Sequence, residues 1–109
     1  MYYITKNNII HAECESIVDV LKTLKDFTAG YRVKDKNRNI IAIDNKDEFI
    51  NIAKHIMLLE KIDSSHPRYA VDTAWVSDRI TWAYKFRKIS KSQMEELCDA
   101  FINYMEGNY

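Results

Sequence analysis

The chain has 109 residues, 16 Lys+Arg balanced by 16 Asp+Glu, and 47% apolar side chains. That length predicts one domain with a real core, the apolar share excludes a disordered chain, and zero net charge argues against a globally basic nucleic-acid binder while leaving room for a local patch. Two cysteines with no CxxC spacing, two glycines and no long apolar run exclude a disulfide scaffold, a glycine-rich phosphate loop and a membrane span, so a reduced, cytoplasmic setting is expected.

The N-terminal stretch MYYITKNNII is polar by its fifth residue, which argues against a signal peptide. YYITKNNIIHA reads as two β-prone runs meeting at Asn7-Asn8, a pair that tolerates positive φ and so predicts a tight hairpin. Ser16 with Asp19 opens a helix over IVDVLKTLKDF, its apolar stripe Ile17, Val20, Leu21, Leu24 and Phe27. YRVKDKNRNIIAI repeats the hairpin with a longer, charged turn at 36–39. Asn45 with Glu48 opens a second helix, with Phe49, Ile52, Ala53, Ile56 and Leu59 on one stripe. Ile9-Ile10 align with Ile40-Ile41, and Val20, Leu21 and Leu24 with Ile52, Ala53 and Ile56, at near-constant offset. Residues 1–62 therefore read as two ββα units, either a duplication or two units alike only in pattern. DSSHPR is a loop, because Pro67 biases His66 away from helix. Ser90 with Gln93 opens the last helix, striped by Met94, Leu97, Cys98, Phe101 and Met105.

The expected fold is α+β: two ββα units forming a four-stranded antiparallel sheet with helices on one face, then a helical hairpin over 69–106 packed on it. The sequence of that hairpin's first helix, residues 69–88, is unusual. At about 100° per residue, Val71, Trp75, Trp82 and Phe86 gather on one face. Tyr69, Thr73, Val76, Ile80 and Ala83 gather on another, and the apolar arc exceeds half the circumference, wider than a surface helix needs. Two arrangements fit. The helix is central, covered on both sides, or part of its aromatic face is left open for a partner. Leaving an indole wet forgoes ~25 cal/mol for each Å² of apolar surface not buried, over about 200 Å² per ring. Asp72 and Arg79 lie between the two faces, where mutual pairing would satisfy them, and Arg79 can lie across Trp75.

Trp75, Arg79, Trp82, Tyr84 and Phe86 are the candidate protein-binding residues, since arginine beside large aromatics is the usual composition of binding hot spots. Arg79, Lys85, Arg87, Lys88 and Lys91 carry the only formal charges from 79 to 94, and Lys85, Arg87, Lys88 and Lys91, interleaved with aromatics, are the alternative, nucleic-acid-binding set. Dipole complementation and pairing with Glu95, Glu96, Asp99 and Glu106 would equally explain those cations. No metal or other cofactor is expected: His11, His55 and His66 lack ligand spacing, and His11 with Cys14 has no second pair. His55 falls on the polar side of its helix, where a solvated ring is expected, and His66 reads as a turn residue. Cys98 falls on an apolar stripe. Cys14 lies near a helix start with no base beyond His11, and the carboxylates sit at helix N-termini where caps account for them, so no enzyme is indicated. The turn KDKNRN and the sheet's edge strands are further contact surfaces, which leaves a homodimer open.

Ile, Asn and Lys together make 33 of the 109 residues. In size and in this AT-rich-codon composition the chain resembles the small accessory proteins of phages and mobile elements, a likeness of class without a motif. It implies a non-enzymatic inhibitor or adaptor, anti-CRISPR-like in the concrete case, acting on a host protein or defence complex in the host cytoplasm. The alternative function is nucleic-acid binding or regulation through residues 79–91.

Overall fold

The first strands turn back on themselves at Asn7 and Asn8, whose φ angles of 54° and 63° are the pair of positive values a two-residue hairpin turn requires. A computed structural model describes residues 1–24, 30–44, 46–59, 62 and 65–107. In it β1 (Tyr2–Lys6) and β2 (Ile9–Cys14) pair antiparallel. Ile4 faces Ala12 while Thr5 faces Ile10, so His11 is an extra residue bulged out of β2. Helix α1 (Ile17–Leu24) follows, and Ser16 Oγ accepts the Asp19 N–H at 3.2 Å as the cap pattern predicts. Phe27 lies outside the described residues.

The second unit repeats this order with β3 (Arg32–Lys34), β4 (Ile40–Ile41) and α2 (Glu48–Leu59). Its charged turn is organised by Asp35, whose Oδ1 accepts the N–H groups of Asn37 and Asn39 at 2.8 and 2.9 Å, and Arg38 takes a positive φ of 65°. Asn45 lies outside the described residues. The α2 cap is Asp47, whose Oδ1 accepts from Phe49 and Ile50.

The four strands form one antiparallel sheet in the order β2-β1-β3-β4. The first strand of each unit is central and the second lies at an edge, the arrangement that two copies of one unit make about a twofold axis. α3 (Tyr69–Lys85) and α4 (Lys91–Gly107) complete the α+β fold. α3 ends in a tight reversal. Arg87, at φ 59°, donates its N–H to Tyr84 O, and Lys88 donates to Ala83 O at 2.7 Å, the pair of bonds that closes a helix around a left-handed residue. α4 begins in a complete capping box, with Gln93 N–H donating to Ser90 Oγ and Ser90 N–H to Gln93 Oε1.

The central arrangement of the tryptophan helix is corrected: the hub of the molecule is α2. It packs against α1, α3 and α4, and it buries Phe49, Ile50, Ile52, Ala53, Ile56 and Leu59. At about 100° per residue those six cover half of its circumference, which a helix gripped on several sides requires. α3 buries only Val76, Ile80 and Ala83. From α4, Leu97 and Tyr104 are buried, while Cys98 is partly buried against the core and next to Met94.

A carboxylate ties the sheet to the helices. Glu96 on α4 accepts from the Tyr2 hydroxyl at 2.8 and 2.9 Å and from the Ile17 N–H at 3.2 Å, so it caps α1 from another element. Glu96 is therefore not explained by its own helix N-terminus. Burial pushes its carboxyl above the usual carboxylate range, against the pull of the Tyr2 and Ile17 hydrogen bonds, and burial together with Glu96 pushes the Tyr2 hydroxyl up as well. No helix among the described residues is long and apolar enough to cross a membrane.

Candidate protein-docking face

α3 has its aromatic stripe turned away from the three residues that anchor it. Val76, Ile80 and Ala83 face the core, while Trp75 and Trp82 keep 37% and 38% of their surface in solvent and Phe86 keeps 55%. Of the two arrangements open to this helix, the peripheral one with a partly open aromatic face is realised.

The open side chains are held in order. The Arg79 guanidinium lies 4.1 Å from the Trp82 ring centre and 5.9 Å from that of Trp75. His55, on α2, stacks on Trp75 at 4.1 Å, and its Nδ1 lies 2.8 Å from Asn51 O. Phe86 continues the series, 5.5 Å from Trp82. The result is a ladder of five planar groups, His55, Trp75, Arg79, Trp82 and Phe86, running along the α2–α3 seam. Its centre is pinned from α2: Arg79 Nε donates to Glu48 Oε1, and Nη2 donates to Glu48 Oε2 at 3.1 Å. This two-pronged bond fixes the guanidinium plane, and with it the rings on either side.

Three expectations change with this geometry. Arg79 pairs with Glu48 rather than Asp72, and Asp72 instead pairs with Arg68 at 3.6 Å. His55 is not a solvated ring but a half-buried member of the ladder. Tyr84 does not join the indoles. It lies half a helical turn from Trp75 and lines a separate depression with Lys85, Arg87, Lys88 and Lys91. Sequence reasoning places Trp75, Arg79, Trp82 and Phe86 together. It misses Glu48 and His55, whose link to α3 is long-range, and Leu58, which joins Val71, Trp75 and His55 in lining a mostly apolar groove of about 370 Å³ at one end of the ladder.

The basic set is also in place, at the α3–α4 turn. Among the described residues no acid of α4 forms an ion pair with Lys85, Arg87, Lys88 or Lys91, so, of the two explanations for these cations, pairing with the last helix is not made there. His66 is a turn residue whose Nδ1 accepts the Arg68 N–H at 3.1 Å. Cys14 is buried, with its Sγ 3.8 Å from Thr23 Oγ1. Among the described residues no group of three or more His, Cys, Asp or Glu is placed to hold a metal ion. Comparison with known proteins finds no matching family, no matching curated protein and no matching solved structure.

Proposed function

We propose that this protein is a non-enzymatic binding module that docks another protein through the α2–α3 face. The observation that carries this reading is the ladder: two indoles and a phenyl ring left partly in water, yet each fixed by a stacked neighbour and the whole pinned by Glu48. Aromatic and arginine side chains already held in one conformation lose little freedom on binding, which is what makes such residues energetic anchors. The adjacent groove lined by Leu58 and Val71 extends the apolar surface. The narrower version, an inhibitor or adaptor of the phage type acting on a host protein or defence complex, draws its support from size and composition.

The test is affinity capture from host lysate with the wild type and with Arg79→Ala and Trp82→Ala, each verified as folded by circular dichroism. Both variants should lose the captured partner. If both retain the wild-type set of bound proteins, the face is not the docking surface. A second reading, nucleic-acid binding at the α3–α4 turn, is supported by the four cations there that lack ion-pair partners among the described residues.

A further inference from the structure

Among the described residues the helices pack on one face of the sheet, and the other face carries exposed side chains. Strand register fixes what that open face carries. Across the sheet from β2 to β4 one row reads Glu13, Tyr3, Lys34 and Ile40, and the next reads Ile10, Thr5 and Arg32. The bulge at His11 is what brings Ile10 onto this face beside Thr5, because without the extra residue Ile10 would share the inner face with Ala12 and Cys14. Lys36 and Arg38, from the charged β3–β4 turn, join Tyr3, Lys34 and Asn8 around a depression of about 430 Å³. Lys34 reaches across the central strand to Asn8 Oδ1 at 3.4 Å, and Thr5 is buried beneath this surface.

The charge is one-sided. Among the described residues, Arg32, Lys34, Lys36 and Arg38 stand against the one carboxylate of Glu13 on this face. The neighbouring acid, Asp35, is engaged inside the turn by the Asn37 and Asn39 N–H groups. A chain that is neutral overall thus has a cationic sheet. Acids gather elsewhere, with Glu15, Asp19, Glu96 and Asp99 lining the α1–α4 groove.

We propose that this open sheet face is a second binding site, separate from the α2–α3 face, and that its occupant is single-stranded nucleic acid. The layout matches that ligand. A tyrosine on a central strand offers a ring for a base to stack on, and the cations lie to its β3–β4 side and rim, where a sugar–phosphate backbone passes. From β2 to β4 the face is about 14 Å wide, with strands ~4.8 Å apart, and it is shallow. It therefore suits a few splayed bases and offers no protruding helix or ribbon for a duplex groove.

Fluorescence anisotropy of a labelled oligo-dT of about 12 nucleotides tests the site with the full chain. The wild type should bind, with affinity falling steeply as salt rises. Lys34→Glu, at a half-buried position, combined with Arg38→Glu, at an exposed one, should weaken binding by about tenfold or more and flatten the salt slope by about one unit for each phosphate left without its cation. Tyr3→Leu should weaken it by about fivefold or more with the salt slope kept, whereas Tyr3→Phe, which retains the ring, should bind like the wild type. Thermal melts establish that each variant is folded. Four results overturn the proposal: no binding by the wild type at about 100 µM protein in low salt; unchanged binding by the double variant; loss only with Arg87→Glu and Lys88→Glu, which moves the site to the α3–α4 turn; and equal competition by poly-glutamate with Tyr3→Leu silent, which makes the face a site for acidic polypeptides. None of these bears on the α2–α3 face, whose test is separate.

Discussion

Arg87 shows how much one residue can be asked to do. It holds a left-handed conformation, at φ 59°, so that the chain can leave α3 and enter α4. For a residue with a Cβ this costs about 1 kcal/mol or more, and glycine is the usual occupant. Glycine loses part of that gain through its greater freedom when unfolded. Arg87→Gly should therefore stabilise the fold by about 0.5–1 kcal/mol, a rise of a few degrees in Tm by calorimetry. A fall in stability would mean that the arginine side chain makes up for its backbone strain. Glu96 is the second residue whose role exceeds its class. Its folded pKa is raised, so its contribution is fully present below the usual carboxylate range and is lost as pH climbs through the raised value. Glu96→Gln keeps an acceptor for Tyr2 and Ile17 but has no charge to bury. Urea unfolding at mildly acidic and at neutral pH should show the wild type losing stability relative to this variant as pH rises. A constant difference between the two would show that Glu96 is not the group responsible.

At the scale of elements, what is legible in the sequence is what is local. The hairpin at Asn7-Asn8, the Ser16 cap and the Ser90/Gln93 box are each decided within four residues, and each forms as the side-chain chemistry dictates. At the start of α2 the Asp47 carboxylate accepts the Phe49 and Ile50 N–H groups, while Asn45 lies outside the described residues. Two cap-capable residues stand two apart there, and the pattern does not rank them. The ion pair of Arg79 with Glu48 and the bond of Tyr2 with Glu96 span separations of 31 and 94 residues, and no periodicity within a helix carries that information. The wide apolar arc of α3 marks it as too broad for an ordinary surface helix, and its half-open rings agree. What the arc cannot say is which side stays open, because burial depends on neighbours that only the fold supplies. On α2 the broader stripe is visible in Ile50, beside the five residues assigned to it, and marks the true hub.

For the whole molecule, the hub and the docking face make opposite demands on side-chain loss. Ile56 is fully buried where α2 meets its neighbours. Ile56→Ala should cost about 2–5 kcal/mol, through lost burial and the cavity left behind. Trp75→Ala removes a larger side chain from a more exposed position and should cost less, about 1–2 kcal/mol. Urea unfolding of the two variants orders them, and a larger loss for Trp75→Ala would make the ladder part of the structural core. The neutral total charge hides a division of surfaces: cations on the open sheet, acids in the α1–α4 groove, aromatics along α3. Net charge averages over that division, which is why composition alone rules out only a globally basic binder.

The sheet's two borders have a consequence for assembly. On one side the outermost strand is kinked by its inserted histidine, and on the other the outermost strand is two residues long. Irregular or abbreviated margins give an incoming strand few consecutive backbone groups to zip onto. The molecule is thereby discouraged from growing sideways into stacked ribbons, and recruitment is directed to its broad surfaces, where selectivity comes from side chains rather than from the backbone that every protein shares.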